Sequence, residues 1–76
     1  MKLRIITPTQ SSEYTAEAVF LPGAAGAFEV LKGHAPIISA LAPGQLRWRS
    51  AGKEESLQLQ GGMVMVEDDI IKVCAE

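Results

Sequence analysis

A chain of 76 residues with a formal net charge of −2 has the size of one small domain, expected to occupy residues 1–76. Because Cys74 is the only cysteine and His34 the only histidine, an internal disulfide is excluded and a zinc site is not predicted. The charge lacks the basic excess typical of nucleic-acid-binding modules, and no apolar run approaches the roughly 20 residues of a membrane span. A single thiol, with no signal-peptide pattern at the N-terminus, fits a reducing cytoplasmic compartment.

Short apolar runs separated by Gly, Pro and polar turns predict an all-β domain. The first strand is expected over Lys2–Thr7, where Leu3 and Ile5 share one face. The polar run Thr9–Glu13 predicts a turn, and Tyr14–Leu21 is expected to be extended.

Glycines interrupt the middle of the chain. Between them, Ala27–Leu31 predicts a short strand with Phe28 and Val30 on one face. Ile37–Leu41 fits either a strand or a single helical turn, because periodicity does not distinguish the two over five residues.

The alternation continues more regularly in the second half. Leu46 and Trp48 alternate with Arg47 and Arg49, which predicts a strand with the indole in the core and both arginines in water. The polar segment Ser50–Glu54 contains a glycine and predicts a hairpin turn.

Met63–Val66 is apolar at every position, which predicts a central strand with Met63 and Met65 in the core. Glu67–Asp69 predicts a polar turn, and Ile70–Ala75 predicts the last strand. Many short strands at even spacing favour a sandwich or a barrel.

Candidate chemistry is sparse. His34 has no nucleophile or orienting acid near it in sequence, so a structural or interface role is favoured over a small β-barrel enzyme, and no catalytic residue is predicted. Lys32 precedes Gly33, the reverse of the Gly-Lys order of a P-loop, so no phosphate site or cofactor is predicted. Cys74 is expected to be a packed or half-exposed structural thiol. A small β-barrel nucleic-acid-binding module that stacks bases on Arg47–Arg49 is the alternative function.

One group of motifs runs along the whole chain. Its members are Leu21-Pro22-Gly23 with Gly26, then Gly33-His34-Ala35-Pro36, then Pro43-Gly44-Gln45-Leu46-Arg47, then Gly61-Gly62. In this order and spacing, the chain resembles the N-terminal β-sandwich of the epsilon subunit of F-type ATP synthase. The resemblance implies a flattened β-sandwich of about ten short strands in two sheets, without an active site, bound cofactor or metal.

The resemblance also implies a place in the central rotor stalk. There the domain would link the gamma subunit to the c-ring and help couple ATP synthesis to ion translocation. Neither a nucleic acid nor a small-molecule substrate is implied, and the protein would lie at the cytoplasmic face of the bacterial inner membrane, reaching the membrane only through the complex. Most bacterial members carry a C-terminal helical hairpin; this sequence stops before it, so the hairpin's inhibitory and ATP-binding properties are not expected here.

The c-ring contact implied by the resemblance is the loop from Ala24 to Pro36. Relatives often have an acidic residue after the position of Ala24, where this chain has Ala25, so an apolar or backbone contact is expected. The candidate interface residues are Ala24, Ala25, Gly26, Ala27, Gly33, His34, Ala35 and Pro36. The gamma contact is expected on a sheet face or edge.

Overall fold

The computed structural model describes residues 1–76, and all of its regular elements are β-strands. The strands are β1 Lys2–Ile6, β2 Ser11–Thr15, β3 Ala18–Leu21, β4 Phe28–Leu31, β5 Ile37–Leu41, β6 Gly44–Ser50, β7 Lys53–Leu59, β8 Gly62–Glu67 and β9 Ile70–Ala75. The all-β class predicted from short alternating runs is therefore confirmed.

The strands form a five-stranded sheet in the order β2-β1-β9-β8-β5 and a four-stranded sheet in the order β4-β3-β6-β7, which pack face to face. β1 and β9 pair in parallel, so the first and last strands are neighbours, whereas all other pairs are antiparallel. Each sheet keeps two edge strands, so the domain is an open sandwich and not a closed barrel. The predicted sandwich is confirmed, with nine strands in place of about ten.

The core lies between the sheets and is made of alternate, inward-facing residues from both. Leu3 of the five-stranded sheet and Leu46 of the four-stranded sheet are both 0% exposed. Trp48 is buried beside them, while Arg47 and Arg49 are exposed, as their alternation predicts.

The turn predicted over Thr9–Glu13 is wrong, because β2 already begins at Ser11. β2 is an edge strand with β1 as its one neighbour in the sheet. Water reaches an edge strand from its free side, so polar Ser and Glu residues are tolerated there. The extended segment predicted over Tyr14–Leu21 is likewise divided between two strands, with Ala16 and Glu17 between them.

Of the two alternatives for Ile37–Leu41, the structure has the strand: β5 pairs with β8 in antiparallel register. The short strand predicted over Ala27–Leu31 is also present, as β4, and both Phe28 and Val30 pack on the core. β5 follows β4 along the chain but belongs to the other sheet, so the chain crosses between layers here.

The predicted burial of the β8 methionines is wrong. β8 does lie inside its sheet, between β9 and β5, but Met63 and Met65 are 46% and 42% exposed. Val64 and Val66 of the same strand are buried. Successive side chains of a strand point to opposite faces, and only one face of this sheet is covered by a second layer.

Two hairpins end in tight two-residue turns with positive φ at both positions, as type I′ turns require. Between β6 and β7 the turn residues are Ala51 (φ 51°) and Gly52 (φ 79°). Between β8 and β9 they are Asp68 (φ 51°) and Asp69 (φ 62°). The polar turns predicted at both places are present.

Candidate partner-docking site

The predicted interface loop is not one continuous loop. β4 spans Phe28–Leu31 and divides the candidates into a first group, Ala24–Ala27, and a second group, Gly33–Pro36. The two groups therefore lie at opposite ends of β4. The first group is hydrogen-bonded to β5 of the five-stranded sheet, and the second group is hydrogen-bonded to the turn between β8 and β9.

The first group is a tight turn between β3 and β4, and all four of its residues are exposed. The Gly26 N–H donates to the Gly23 carbonyl over 3.0 Å, and the Ala24 N–H donates to the Ala40 carbonyl of β5 over 2.9 Å. Gly26 has φ 137°, a conformation that favours glycine. The turn is therefore anchored by its backbone and presents only small, uncharged groups to a partner.

An open groove of about 330 Å³ lies beside this turn on the outer side of the four-stranded sheet. Phe20, Pro22 and Phe28 line its apolar part, and Arg47 lines its polar part. The turn is therefore uncharged, whereas the groove beside it combines apolar side chains with the charged Glu29 and Arg47.

The second group lies between β4 and β5. The His34 N–H donates to the Leu31 carbonyl over 3.1 Å, and the Gly33 N–H donates to Asp69 Oδ1 over 3.2 Å, which ties the loop to the β8–β9 turn. The His34 ring is half-buried, and its Nδ1 lies 2.7 Å from the Ala35 carbonyl. The ring makes no hydrogen bond or ion pair to a nucleophile or a carboxylate.

A second surface was missed by sequence reasoning. The outward side chains of the five-stranded sheet form a continuous patch, called here the apolar face. It consists of Ile6, Ile38, Ala40, Met63, Met65 and Cys74, which are cross-strand neighbours across β1, β9, β8 and β5.

Exposure is high across the apolar face, from its edge strand β5 inwards. Ile38 is 69% exposed and faces Met65 across β5 and β8. Cys74, expected to be packed or half-exposed, is exposed and faces Met63. The signal in the sequence was the unbroken apolar run Met63–Val66, which fits either a doubly covered strand or a strand with one face reserved for a partner.

The apolar face adjoins the first candidate group. Ala40, on the edge strand β5, belongs to the apolar face and accepts the hydrogen bond from the Ala24 N–H. The second group lies at the other end of β5, next to Ile37. The structure therefore joins Ala24–Ala27 and the apolar face into one surface that turns around an end of the sandwich.

The outer side of the four-stranded sheet has a different character. Arg47 pairs with Glu54 over 3.2 Å, and its guanidinium lies 4.8 Å from the ring centroid of Phe20. Trp48 is 3% exposed, so its ring offers no surface on which a base can stack between Arg47 and Arg49. This is the feature on which the nucleic-acid alternative depended.

The chain has no group of three or more His, Cys, Asp or Glu side chains positioned to hold a metal ion. The structure also has no helix with the length and hydropathy needed to cross a bilayer.

Known proteins are similar to this chain over most of its length. The family described as "ATP synthase, Delta/Epsilon chain, beta-sandwich domain" matches residues 1–76. The ATP synthase epsilon chain of Prochlorococcus marinus is 39% identical over 74 residues, which cover 96% of this chain and 56% of that protein. The ATP synthase epsilon chain of Chlorobium limicola is 42% identical over 69 residues, which cover 86% of this chain and 76% of that protein.

The fold also occurs in the solved structure of the Euglena gracilis mitochondrial ATP synthase, OSCP/F1/c-ring in rotational state 1. One chain there has a TM-score of 0.89 and 23% identity, and the match covers 96% of this chain and 48% of that one. The present chain thus spans about half the length of several of its relatives, such as 56% of the Prochlorococcus protein. It belongs to the ATP synthase delta/epsilon chain family, of which it forms the β-sandwich domain.

Proposed function

We propose that this chain is a non-catalytic subunit of the central stalk of F-type ATP synthase. It links the gamma subunit to the c-ring and helps couple ATP synthesis to ion translocation. The observation that carries the proposal is the apolar face, on which Ile38, Met63 and Met65 are 69%, 46% and 42% exposed. Family membership supports the assignment to this complex.

The apolar face is the surface proposed to bind gamma. Soluble monomers rarely expose a contiguous apolar patch without using it for binding. Each square ångström of apolar surface removed from water contributes about 25 cal/mol, so covering Ile38, Met63 and Met65 stabilises a complex substantially. Because these side chains stand on two paired strands, β5 and β8, the backbone beneath them is already ordered before docking.

The c-ring contact is proposed to lie at the Ala24–Ala27 turn. The domain measures 26 × 24 × 18 Å, and the two candidate groups occupy opposite ends of β4. We therefore assign the c-ring contact to one of the two ends. The Ala24–Ala27 turn itself carries no charge to desolvate and adjoins the apolar face, so gamma and the c-ring would bind neighbouring surfaces.

The proposed location follows from these partners. The domain would sit at the cytoplasmic face of the bacterial inner membrane and reach the membrane only through the complex. It would contribute no catalytic group, since its role is to hold gamma and the c-ring together while torque passes between them.

Binding to purified gamma tests the proposal. The wild-type domain should form a stoichiometric complex on a sizing column, and gamma should raise its melting temperature, since a partner that binds only the folded form adds RT ln(1 + [L]/Kd). Ile38→Glu places a charge on the apolar face and should weaken binding at least about tenfold, because the carboxylate loses water on docking.

Gln58→Glu is the matched control, because Gln58 is exposed on the outer side of the four-stranded sheet, opposite Gln45. It adds the same charge and should leave the affinity unchanged. Absence of a wild-type complex, or equal weakening by both variants, would contradict the proposal.

A further inference from the structure

Lys72 of β9 stands among the outward side chains of the five-stranded sheet. It lies between Ile70 and Cys74 along its strand, and it faces Arg4 of β1 on one side and Met65 of β8 on the other. It is half-buried, whereas the other lysines, at positions 2, 32 and 53, are exposed. The sheet thus carries one lysine whose side chain is partly covered by its neighbours, beside the apolar face.

No carboxylate neutralises this ammonium group. The Arg4 guanidinium is paired with Glu13, at 3.1 Å, and Lys2 lies 3.8 Å from the same carboxylate. Glu67 lies on the neighbouring strand opposite Ile70, diagonal to Lys72, and makes no ion pair with it within 4.0 Å. Lys72 is therefore the unpaired cation of this sheet's outer side.

Docking of an apolar surface on Met65 and its neighbours would remove water from Lys72, which faces Met65 across β8 and β9. A buried, unpaired ammonium group opposes binding strongly, whereas a carboxylate placed against it restores the interaction. We propose that Lys72 pairs with a carboxylate of the gamma subunit and sets the register in which gamma docks. This inference rests on the proposed function, in which gamma covers the apolar face.

The surroundings of Lys72 define where that carboxylate enters. A shallow depression of about 270 Å³ is bordered by Lys72 and Arg4 on its basic side and by Glu67 and Asp68 on its acidic side. A partner carboxylate is attracted to the first pair and repelled by the second. This asymmetry admits one orientation of the partner, in the way that charge patterns commonly determine specificity.

Affinity measurements on Lys72 variants with purified gamma test the pairing. Lys72→Met removes the charge but keeps an apolar side chain of similar length. If gamma supplies a carboxylate, this variant leaves that carboxylate buried and unpaired, and affinity should fall about tenfold or more. The affinity of Lys72→Glu for gamma should fall further, and this variant should associate more slowly. The loss of affinity should be greatest at low salt.

Lys53→Met and Lys53→Glu are matched controls, because Lys53 is exposed on β7 of the other sheet. They should leave affinity and association rate unchanged. In addition, Lys72→Glu should regain affinity when the one matching acidic residue of gamma is changed to lysine.

The outcomes separate the two proposals. If the wild-type domain does not bind gamma, the proposed function and this inference are both overturned. If the wild type binds and Lys72→Met binds as tightly or more tightly, gamma still docks here, but Lys72 serves only to keep the free sheet soluble and the pairing is wrong. Circular dichroism establishes that each variant is folded before binding is measured.

Discussion

In both sheets, inward and outward residues alternate along the strands, but the outward residues of the two sheets differ in character. On the four-stranded sheet, Arg47 lies over Phe20 and pairs with Glu54, so the largest apolar group there is shielded by charge. On the five-stranded sheet, Ile38 and Met65 have no such cover. Burial of one side of each sheet is enough to specify the sandwich, and the other side is free to differ.

This difference shows that stability and binding are carried by separate sets of residues in this domain. Leu3 and Leu46 lie in the core between the two sheets, and such buried side chains determine whether the chain folds. Ile38 and Met63 face away from the core, so they contribute little to the isolated domain and are available to a partner. Four substitutions test how complete this separation is.

The largest effect is expected in the core shared by both sheets. Trp48→Ala should destabilise the domain by about 3–5 kcal/mol, because it removes a buried side chain from a small core. Circular dichroism at 25 °C should show a largely unfolded chain. Binding of gamma and of the c-ring should be lost together, because both surfaces depend on the folded sandwich. Trp48→Phe is the control. It keeps an aromatic ring beside Tyr14, whose ring centroid lies 4.9 Å from that of Trp48, and it removes an indole N–H that has no acceptor. The loss of unfolding free energy should therefore be smaller than for Trp48→Ala. A folded Trp48→Ala variant would contradict the buried position.

The next effect separates the two ends of the domain. Ala25→Lys should leave folding and gamma binding intact but weaken assembly on the c-ring about tenfold, because the new charge must be desolvated at the contact. Ala35→Lys makes the same change at an exposed alanine of the other end and should have no effect. Reconstituted complexes should be compared for assembly and for ions pumped per ATP. Equal behaviour of the two variants would remove the Ala24–Ala27 turn from the interface.

A smaller effect is expected on the charged side of the four-stranded sheet. Arg47→Ala uncovers Phe20 and should cost about 0.5–1 kcal/mol in unfolding free energy, the range for an exposed cation–π contact. Arg49→Ala is the matched control, since Arg49 is exposed and forms no ion pair. Urea unfolding measures both variants. If Arg47→Ala also weakened gamma binding, the division of labour between the sheets would fail.

The smallest effect is a gain. Ala51 has φ 51° in the β6–β7 turn, a conformation that suits asparagine better than alanine. Ala51→Asn should raise the unfolding free energy by roughly 0.5 kcal/mol, at the low end of typical turn and cap optimisation. Gamma binding should stay unchanged, as measured by calorimetry. A stability gain accompanied by tighter binding would show that the two properties are coupled after all.

Much of the fold is predictable from local pattern. The alternation around Trp48 predicts an inward indole flanked by outward arginines, and the glycine in Ser50–Glu54 predicts a hairpin, because both depend on neighbours within a few residues. The prediction of a turn at Thr9–Glu13 failed, since the polar residues there reflect an edge position in the sheet. Whether a strand is central or at an edge is decided by pairing with distant segments.

The sequence by itself determined that the domain is all-β, that it has a single core and that Trp48 points into it, because a period of two assigns side chains to faces without reference to the rest of the chain. Only the tertiary structure decided which faces are covered. β1 pairs with β9 across the whole chain, and the second sheet covers one side of this pair and leaves the other open. A local sequence pattern does not show how many layers cover a sheet or which distant strands pair with each other. Because of this, Met63 and Met65 turned out to be exposed, and the loop from Ala24 to Pro36 turned out to be two separate ends of the molecule.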